Sequence, residues 1–398
     1  MLATSARSAA DSAFHHRLAG EQVTLHLEGC DRRTAASGEL AGLVALGAVT
    51  GASWHPARTA FTLREDRSYR AQLHDLALLE TPAGPALRVL LAHDGRLMCE
   101  ALRPVAESTG GRDGFATLPL PPSGDRDTLL AEARTLRRAV DRPNLLVGIT
   151  VADASGSSAR TVADCLAEGI GVNAQLVLSP AACRTVLQAF LTGYERARAA
   201  GRDLSHTGAM ATLPLRLLAD GIDARLARRP GAPPSAGRRA AAALARQCYE
   251  EYERTLGDSR WRSLVADGAR PFRLAFSAAY TSHTADLNRG ATPRHDLVGP
   301  GLALAADREG LDAFLSARRL GPDTLSTSVR PAGYATALPH QHPVRDLHHP
   351  DLATVGTCLR HEAGRLAIRQ KNALCRSWDT VLAELSRFPH ATRDLPRG

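Results

Sequence analysis

Lysine is almost missing from this chain. Of 49 basic residues among 398, Lys371 is the single lysine and the rest are arginine. A mechanism that needs a side-chain amine therefore has one candidate. Paired cysteines are missing too. The seven cysteines form no Cys-x-x-Cys pair and their number is odd. That excludes a disulfide scaffold and predicts reduced thiols in a cytoplasmic protein. No apolar run is long enough to span a bilayer, and the N-terminal MLATSARSAADSAFHHRLAG lacks the apolar segment of a signal peptide. No membrane partner is expected. The net charge of +8 is spread among carboxylates, without a basic run interleaved with aromatics, which argues against nucleic acid. Neither a dinucleotide fingerprint nor a phosphate loop follows any expected strand, and no cofactor is expected.

What the chain does have is a repeated alternation, clearest from Asp141 to Gly201. Leu145 to Ile149 is an apolar run of strand length, followed by a Ser-rich turn. Ser157 or Ser158 caps a helix with Val162, Cys165 and Leu166 on one face, and Gly169 closes it. Val172 to Leu178 is a second strand. Ser179-Pro180 opens a helix with the cap residue first and proline at the first helical position. Val186, Leu187, Phe190, Leu191 and Tyr194 form its apolar stripe. Two parallel strands joined by a helix are one βαβ unit.

The same units recur along the chain. Strands are expected at Val23 to Glu28, Ala48 to Ser53, 114–122, 208–216, 270–280 and 295–304, besides the two above. Helices are expected at 37–47, Arg64 to Leu79, Arg88 to Glu107, from an Asp127 cap to Val140, at Arg239 to Leu256, Leu311 to Leu320 and Gly356 to Arg387. Eight strands separated by helices predict a single α/β domain, a (β/α)8 TIM barrel. The expected organisation is an N-terminal extension over 1–20, the barrel over 21–330, and a Pro/His-rich loop with a C-terminal helix packed on the barrel over 331–398.

NLLVGIT, LAEGIGVNAQLVLS and YERARAAGRDLS follow one another at spacings that resemble the transaldolase family. SGEL (37–40), GASWHPARTAF (51–61), LRPVAESTGGRDGF (102–115), SRWRSLVADGARPFR (259–273) and LVGPGLALAADREGLDAF (297–314) extend the resemblance in order over about residues 20 to 320. It implies a transaldolase-like barrel and class I aldolase chemistry, in which a lysine forms a Schiff base with a sugar ketone while a carboxylate moves protons. This chain departs from that pattern. The strand-seven lysine position, matched outward from Arg270-Pro271, falls on Ser282, with Thr281 and His283 beside it, and the fourth-strand lysine position is Gly148. The first-strand aspartate aligns with Glu28 and the third-strand glutamate with Pro119. Asn173 keeps an asparagine, Gln175 replaces a threonine, and Leu304-Ala305-Ala306 stands where the family has Asn-Thr-Met. Arg216 matches a phosphate-binding arginine across a one-residue gap.

The candidate catalytic residues are therefore Glu28, His26, His55, Ser282 and His283, with Asn173, Gln175 and Arg216 for substrate binding. His26 and Glu28 share a strand face, and a carboxylate inside a barrel costs several kcal/mol unless it is paired. Carboxylate and imidazole together supply acid and base without an amine. His340, His342, His348 and His349 contain a His-x-His pair, but no supporting Cys or Glu spacing, and no metal is expected. Cys30, just past the first strand, reads as an idle thiol. The expected function is repurposed, non-Schiff-base acid/base chemistry on a small, sugar-derived molecule, as in an isomerase, lyase or cyclase; a homodimer is allowed. Two alternatives stand beside it: a non-catalytic, transaldolase-like binding protein, and an active transaldolase that uses Lys371.

Overall fold

The computed structural model describes Phe14 and residues 17–122, 125–152, 156–226, 236–278, 297–321, 323–326 and 359–391. Eight strands alternate with helices: β1 (Thr24–Glu28), β2 (Gly51–Ser53), β3 (Phe115–Pro119), β4 (Leu145–Thr150), β5 (Val172–Gln175), β6 (Ala209–Pro214), β7 (Arg273–Ser277) and β8 (Leu302–Ala306). Every neighbouring pair is parallel and β8 returns to β1, so the sheet is a closed (β/α)8 barrel. Closure removes both sheet edges.

The helices that frame it are α1 (Arg32–Ala36), α2 (Glu39–Ala45), α3 (Pro56–Glu65), α4 (Arg70–Leu78), α5 (Ala83–Ser108), α6 (Arg126–Val140), α7 (Ser157–Ala167), α8 (Pro180–Ala199), α9 (Leu215–Leu226), α10 (Ala236–Leu256), α11 (Ser259–Ala266), α12 (Arg308–Ala317) and α13 (Leu359–Ala391). Ser179 caps α8 through its hydroxyl, which accepts from the Ala182 amide at 3.1 Å, and Pro180 takes the first helical position. The α8 stripe Val186, Leu187, Phe190, Leu191 and Tyr194 is fully buried, each side chain contributing about 1.5–3 kcal/mol of burial.

Several elements depart from expectation for local reasons. Asp66 accepts from the Ser68 amide and starts a new turn, so the helix expected over Arg64 to Leu79 is two helices. The carboxylate of Asp125, not Asp127, caps α6 by accepting from the Thr128 amide at 2.7 Å. β8 lies at Leu302–Ala306 and not at 295–304, because Gly301 takes a left-handed φ of 79° immediately before it. β7 ends at Ser277, five residues short of Ser282, so the expected strand-seven position of Ser282 is not on the strand.

Register decides which side chains fill the barrel, because strand side chains alternate. His26 pairs with Gly51 and Ala305, Gly51 with Phe115, and Gly148 with Pro119 and Asn173. Phe115, Leu146, Met210, Ala275 and Ala303 form a separate apolar cluster inside the barrel. Beyond the C-terminal end of β1, Arg32 is buried against Asp94 and Tyr69. Its Nε donates to Asp94 at 2.6 Å, Tyr69 Oη donates to the other Asp94 oxygen at 3.0 Å, and the guanidinium lies 4.1 Å from the Tyr69 ring centre. This buried group fixes the chain where it leaves β1.

Among the described helices, none is long and apolar enough to cross a membrane.

Candidate active site

The strands run in parallel, so their C-terminal ends gather at one mouth. Glu28, Ser53, Thr150 and Gln175 reach it from β1, β2, β4 and β5, and Asp307 follows β8. His55 joins them from the N-cap of α3, where its Nδ1 accepts from the Ala57 amide at 3.3 Å. The remaining lining is apolar: Trp54, Pro56, Pro119 and Leu120 below, and Leu374 and Trp378 of α13 above. The free space in the mouth is about 30 Å³, room for a water or two.

Glu28 is fixed across the barrel. Ser277 Oγ, at the end of β7, donates to Glu28 Oε2 at 2.7 Å. Between β7 and β1 lies β8, whose position paired with Ser277 is the small Ala305. A charged acceptor with a short hydroxyl donor is among the stronger hydrogen bonds.

His26 lies on the same strand one layer deeper, and is buried over bare backbone. A Cβ built on Gly51 would come within 2.6 Å of the imidazole. Burial pulls the His26 pKa down to about 4, so the ring is neutral at pH 7. Beneath it, Arg273 and Asp113 pair at 2.6 Å. Thr24 Oγ1, His26 Nε2, Asp113 Oδ1 and Arg273 Nε are buried there without a hydrogen-bond partner among the described residues. His55, at the mouth, is also held down to about 4 by burial.

Asn173 sits in the barrel interior as a brace. Its Oδ1 accepts from Thr212 Oγ1 at 2.8 Å and its Nδ2 donates to Thr117 Oγ1 at 3.4 Å, tying β3, β5 and β6. Gln175 stands one layer higher. It folds over Gly148, where a Cβ would meet Gln175 Oε1 at 2.8 Å and the Pro119 Cα at 2.9 Å. The absent side chain on β4 is thus matched by the larger one on β5. Arg216, the second residue of α9, pairs with Asp220 one turn on, at 2.8 Å, without lining the mouth.

The structure therefore brings Glu28, His55 and Gln175 together, and sets His26 and Asn173 beneath them. Ser282, His283 and the histidines of 340–349 lie outside the described residues. Cys30 is buried, and burial with the neighbouring Asp31 carboxylate pushes its thiol well up. Sequence reasoning did not single out Ser277 or Asp307. For Asp307 a local signal existed: it begins Asp-Arg-Glu-Gly, and its carboxylate caps α12 by accepting from the Gly310 amide at 2.8 Å.

α13 crosses this mouth as a beam. Near its start Arg225 of α9 pairs with Glu362, and Leu366 packs on Gly221 of α9. Near its end Glu384 pairs with Arg64 of α3. Between these anchors Trp378 stacks on Trp54 with ring centres 5.3 Å apart. Lys371, half-buried, shares the Trp378 flank by helical spacing (371, 374, 375, 378).

Comparison with known proteins agrees with this frame. The family described as Transaldolase/Fructose-6-phosphate aldolase matches residues 34–279. The transaldolase of Thermobifida fusca (strain YX) is 39% identical over 260 residues, 65% of this chain and 70% of its own length. That of Parafrankia sp. (strain EAN1pec) is 32% identical over 319 residues, 79% of this chain and 85% of its own. Transaldolase 1 of Streptomyces avermitilis is 32% identical over 324 residues, 81% of this chain and 83% of its own. With a closed parallel barrel and its polar groups gathered at the C-terminal mouth, the chain belongs to the transaldolase/fructose-6-phosphate aldolase family.

Proposed function

We propose that this chain is an enzyme that moves protons next to a carbonyl group in a small hydroxylated molecule, with Glu28 as the base and without an imine on a barrel strand. One observation carries this reading. Glu28 stands at the mouth, oriented by Ser277, while the fourth-strand position that could offer an amine is Gly148, roofed by Gln175. Glu28 takes the proton from the carbon beside the carbonyl, leaving an enolate. The proton then returns to the former carbonyl carbon while the hydroxyl proton passes from its own oxygen to the former carbonyl oxygen, or the enolate re-forms the carbonyl, conjugated to a new alkene, by expelling a leaving group from the next carbon. Isomerase, lyase and cyclase reactions share this first step. Asn173 braces the strands below and Gln175 and His55 offer hydrogen bonds to the substrate. A cytoplasmic setting fits the unpaired thiols among the described residues.

Deuterium uptake tests it. Dihydroxyacetone and erythrulose incubated with the protein in D2O should exchange the proton beside the carbonyl faster than without it. Glu28→Gln should abolish that gain. Exchange unchanged in Glu28→Gln would remove Glu28 from the mechanism.

A second reading has its own observation. Lys371 is half-buried on α13, one turn before the mouth-lining Leu374 and outside the lining itself, with no ion pair among the described residues. As an amine it would condense with a ketone, releasing water and forming an imine, which makes the chain a transaldolase with a relocated nucleophile. Borohydride reduction in the presence of dihydroxyacetone, followed by peptide mass analysis, decides it. Because the chain has one lysine, an adduct on that peptide has one assignment. If neither exchange nor trapping occurs while ligand still binds, the chain is a non-catalytic binding protein, which the apolar part of the mouth would suit.

A further inference from the structure

The register puts Leu27 of β1 opposite Ala306 of β8, so the next residues, Glu28 and Asp307, stand side by side at the mouth. Each carboxylate is already oriented by a donor: Ser277 Oγ on Glu28, and the Gly310 amide on Asp307. The arginines whose charge reaches Asp307 are committed elsewhere. Arg58 pairs with Asp31 at 3.1 Å and Arg216 with Asp220 at 2.8 Å.

Gln175 supplies an independent observation. It is 7% exposed, lines the mouth, and its amide has no hydrogen-bond partner among the described residues. Such an amide, facing the mouth, is open to a hydrogen bond with a ligand. Its oxygen is held over the bare backbone of Gly148.

From this arrangement we infer that the mouth takes a short, unphosphorylated polyol or polyhydroxy ketone. The hydroxyls donate to Glu28 and Asp307, and one oxygen of the ligand accepts from the Gln175 amide. A hydroxyl meets two carboxylates without a charge penalty, whereas a phosphate dianion meets like charge in a partly desolvated site. The ligand is short because α13 roofs the mouth, and even a three-carbon molecule needs Leu374 and Trp378 to shift outward from the 30 Å³ now free.

The inference rests on the mouth being the working site, and its test is kept separate from the exchange assay on Glu28. The full chain is titrated by ligand-observed NMR with dihydroxyacetone, erythrulose and fructose, with dihydroxyacetone phosphate and fructose 6-phosphate, and with inorganic phosphate alone. The unphosphorylated series should bind about ten-fold more tightly than its phosphorylated partners. Gln175→Leu should weaken binding of the unphosphorylated series by about ten-fold. Asp307→Asn keeps a capping side chain, so the fold is retained, and should narrow the discrimination against phosphate. Tighter binding of the phosphorylated series, competition by inorganic phosphate, no binding by either series, or no effect of Gln175→Leu would each overturn the inference. Deuterium exchange that still depends on Glu28 would then leave the acid–base reading standing without this substrate class.

Discussion

Ser277 at the end of β7 holds Glu28 at the end of β1 through a 2.7 Å hydrogen bond that passes over Ala305 of β8. Two staves that do not touch are thereby joined at the mouth, and the carboxylate is aimed before any ligand arrives. Ser277→Ala should cost about 1.5–3 kcal/mol of stability, the range for a hydrogen bond to a charged group. Denaturant titration measures that, and the Glu28-dependent deuterium exchange should fall with it. A variant as stable as the parent would mean the bond contributes nothing to orienting Glu28.

Gly148 and Gln175 form a pair whose sizes depend on each other. Gly148→Ala places a Cβ 2.8 Å from Gln175 Oε1 and 2.9 Å from the Pro119 Cα. The expected destabilisation is about 1–3 kcal/mol, typical of overpacking. Adding Gln175→Ala removes one of the two contacts, so the double variant should lose less than the sum of the single losses. Additive losses in a double-mutant cycle would show that the side chains do not compete for this space.

Acid sensitivity should rest on His26 and His55, whose pKa values burial lowers alike to about 4. For His26 the folded-state value falls from 6.5 to about 4. The unfolded chain therefore binds a proton first as the pH falls. The contribution of the neutral ring is complete above pH 6.5 and is lost as the pH drops toward 4, up to ~3 kcal/mol in all. His26→Gln should reduce the slope of the unfolding free energy between these limits by about half, His55 carrying the rest. An unchanged pH profile would place the acid response elsewhere.

Trp378 should control access to the mouth. Its ring stacks on Trp54, one of the three tryptophans of the chain. Trp378→Ala removes that cover, and Trp54 emission should shift to longer wavelength and become more accessible to acrylamide. Loss of a buried tryptophan costs about 3–5 kcal/mol, so folding is checked by circular dichroism in the same samples. A Trp54 spectrum that does not move would mean the beam does not shield the mouth.

The barrel was legible where a strand alternates or a cap is local. β1 runs Thr-Leu-His-Leu-Glu, apolar out and polar in, and Ser179-Pro180 announces α8 directly. β8 was displaced because Leu-Ala-Leu-Ala-Ala is apolar on both faces, so its bounds depend on the left-handed Gly301 and not on any alternation. Glu28 was identifiable because its alignment and its strand face agree. Ser277 was not, because it matters through a neighbour created by closure: Glu28 is 249 residues from Ser277 in sequence. Asp307 is announced locally as a helix cap, but its place beside Glu28 arises only when β8 closes on β1. The Trp54–Trp378 stack is equally non-local, and no helical or strand period points to it.

β2 has one feature with wider reach: it is three residues long and begins at Gly51, whose lack of a side chain makes room for the His26 ring. A cylinder of eight staves is as tight as its shortest seam. The seams of β2 with β1 and β3 have three paired positions each, as does the β5–β6 seam, but only at β2 would loosening open directly beneath Trp54, so that uncoupling of the wall and uncovering of the chamber become one event.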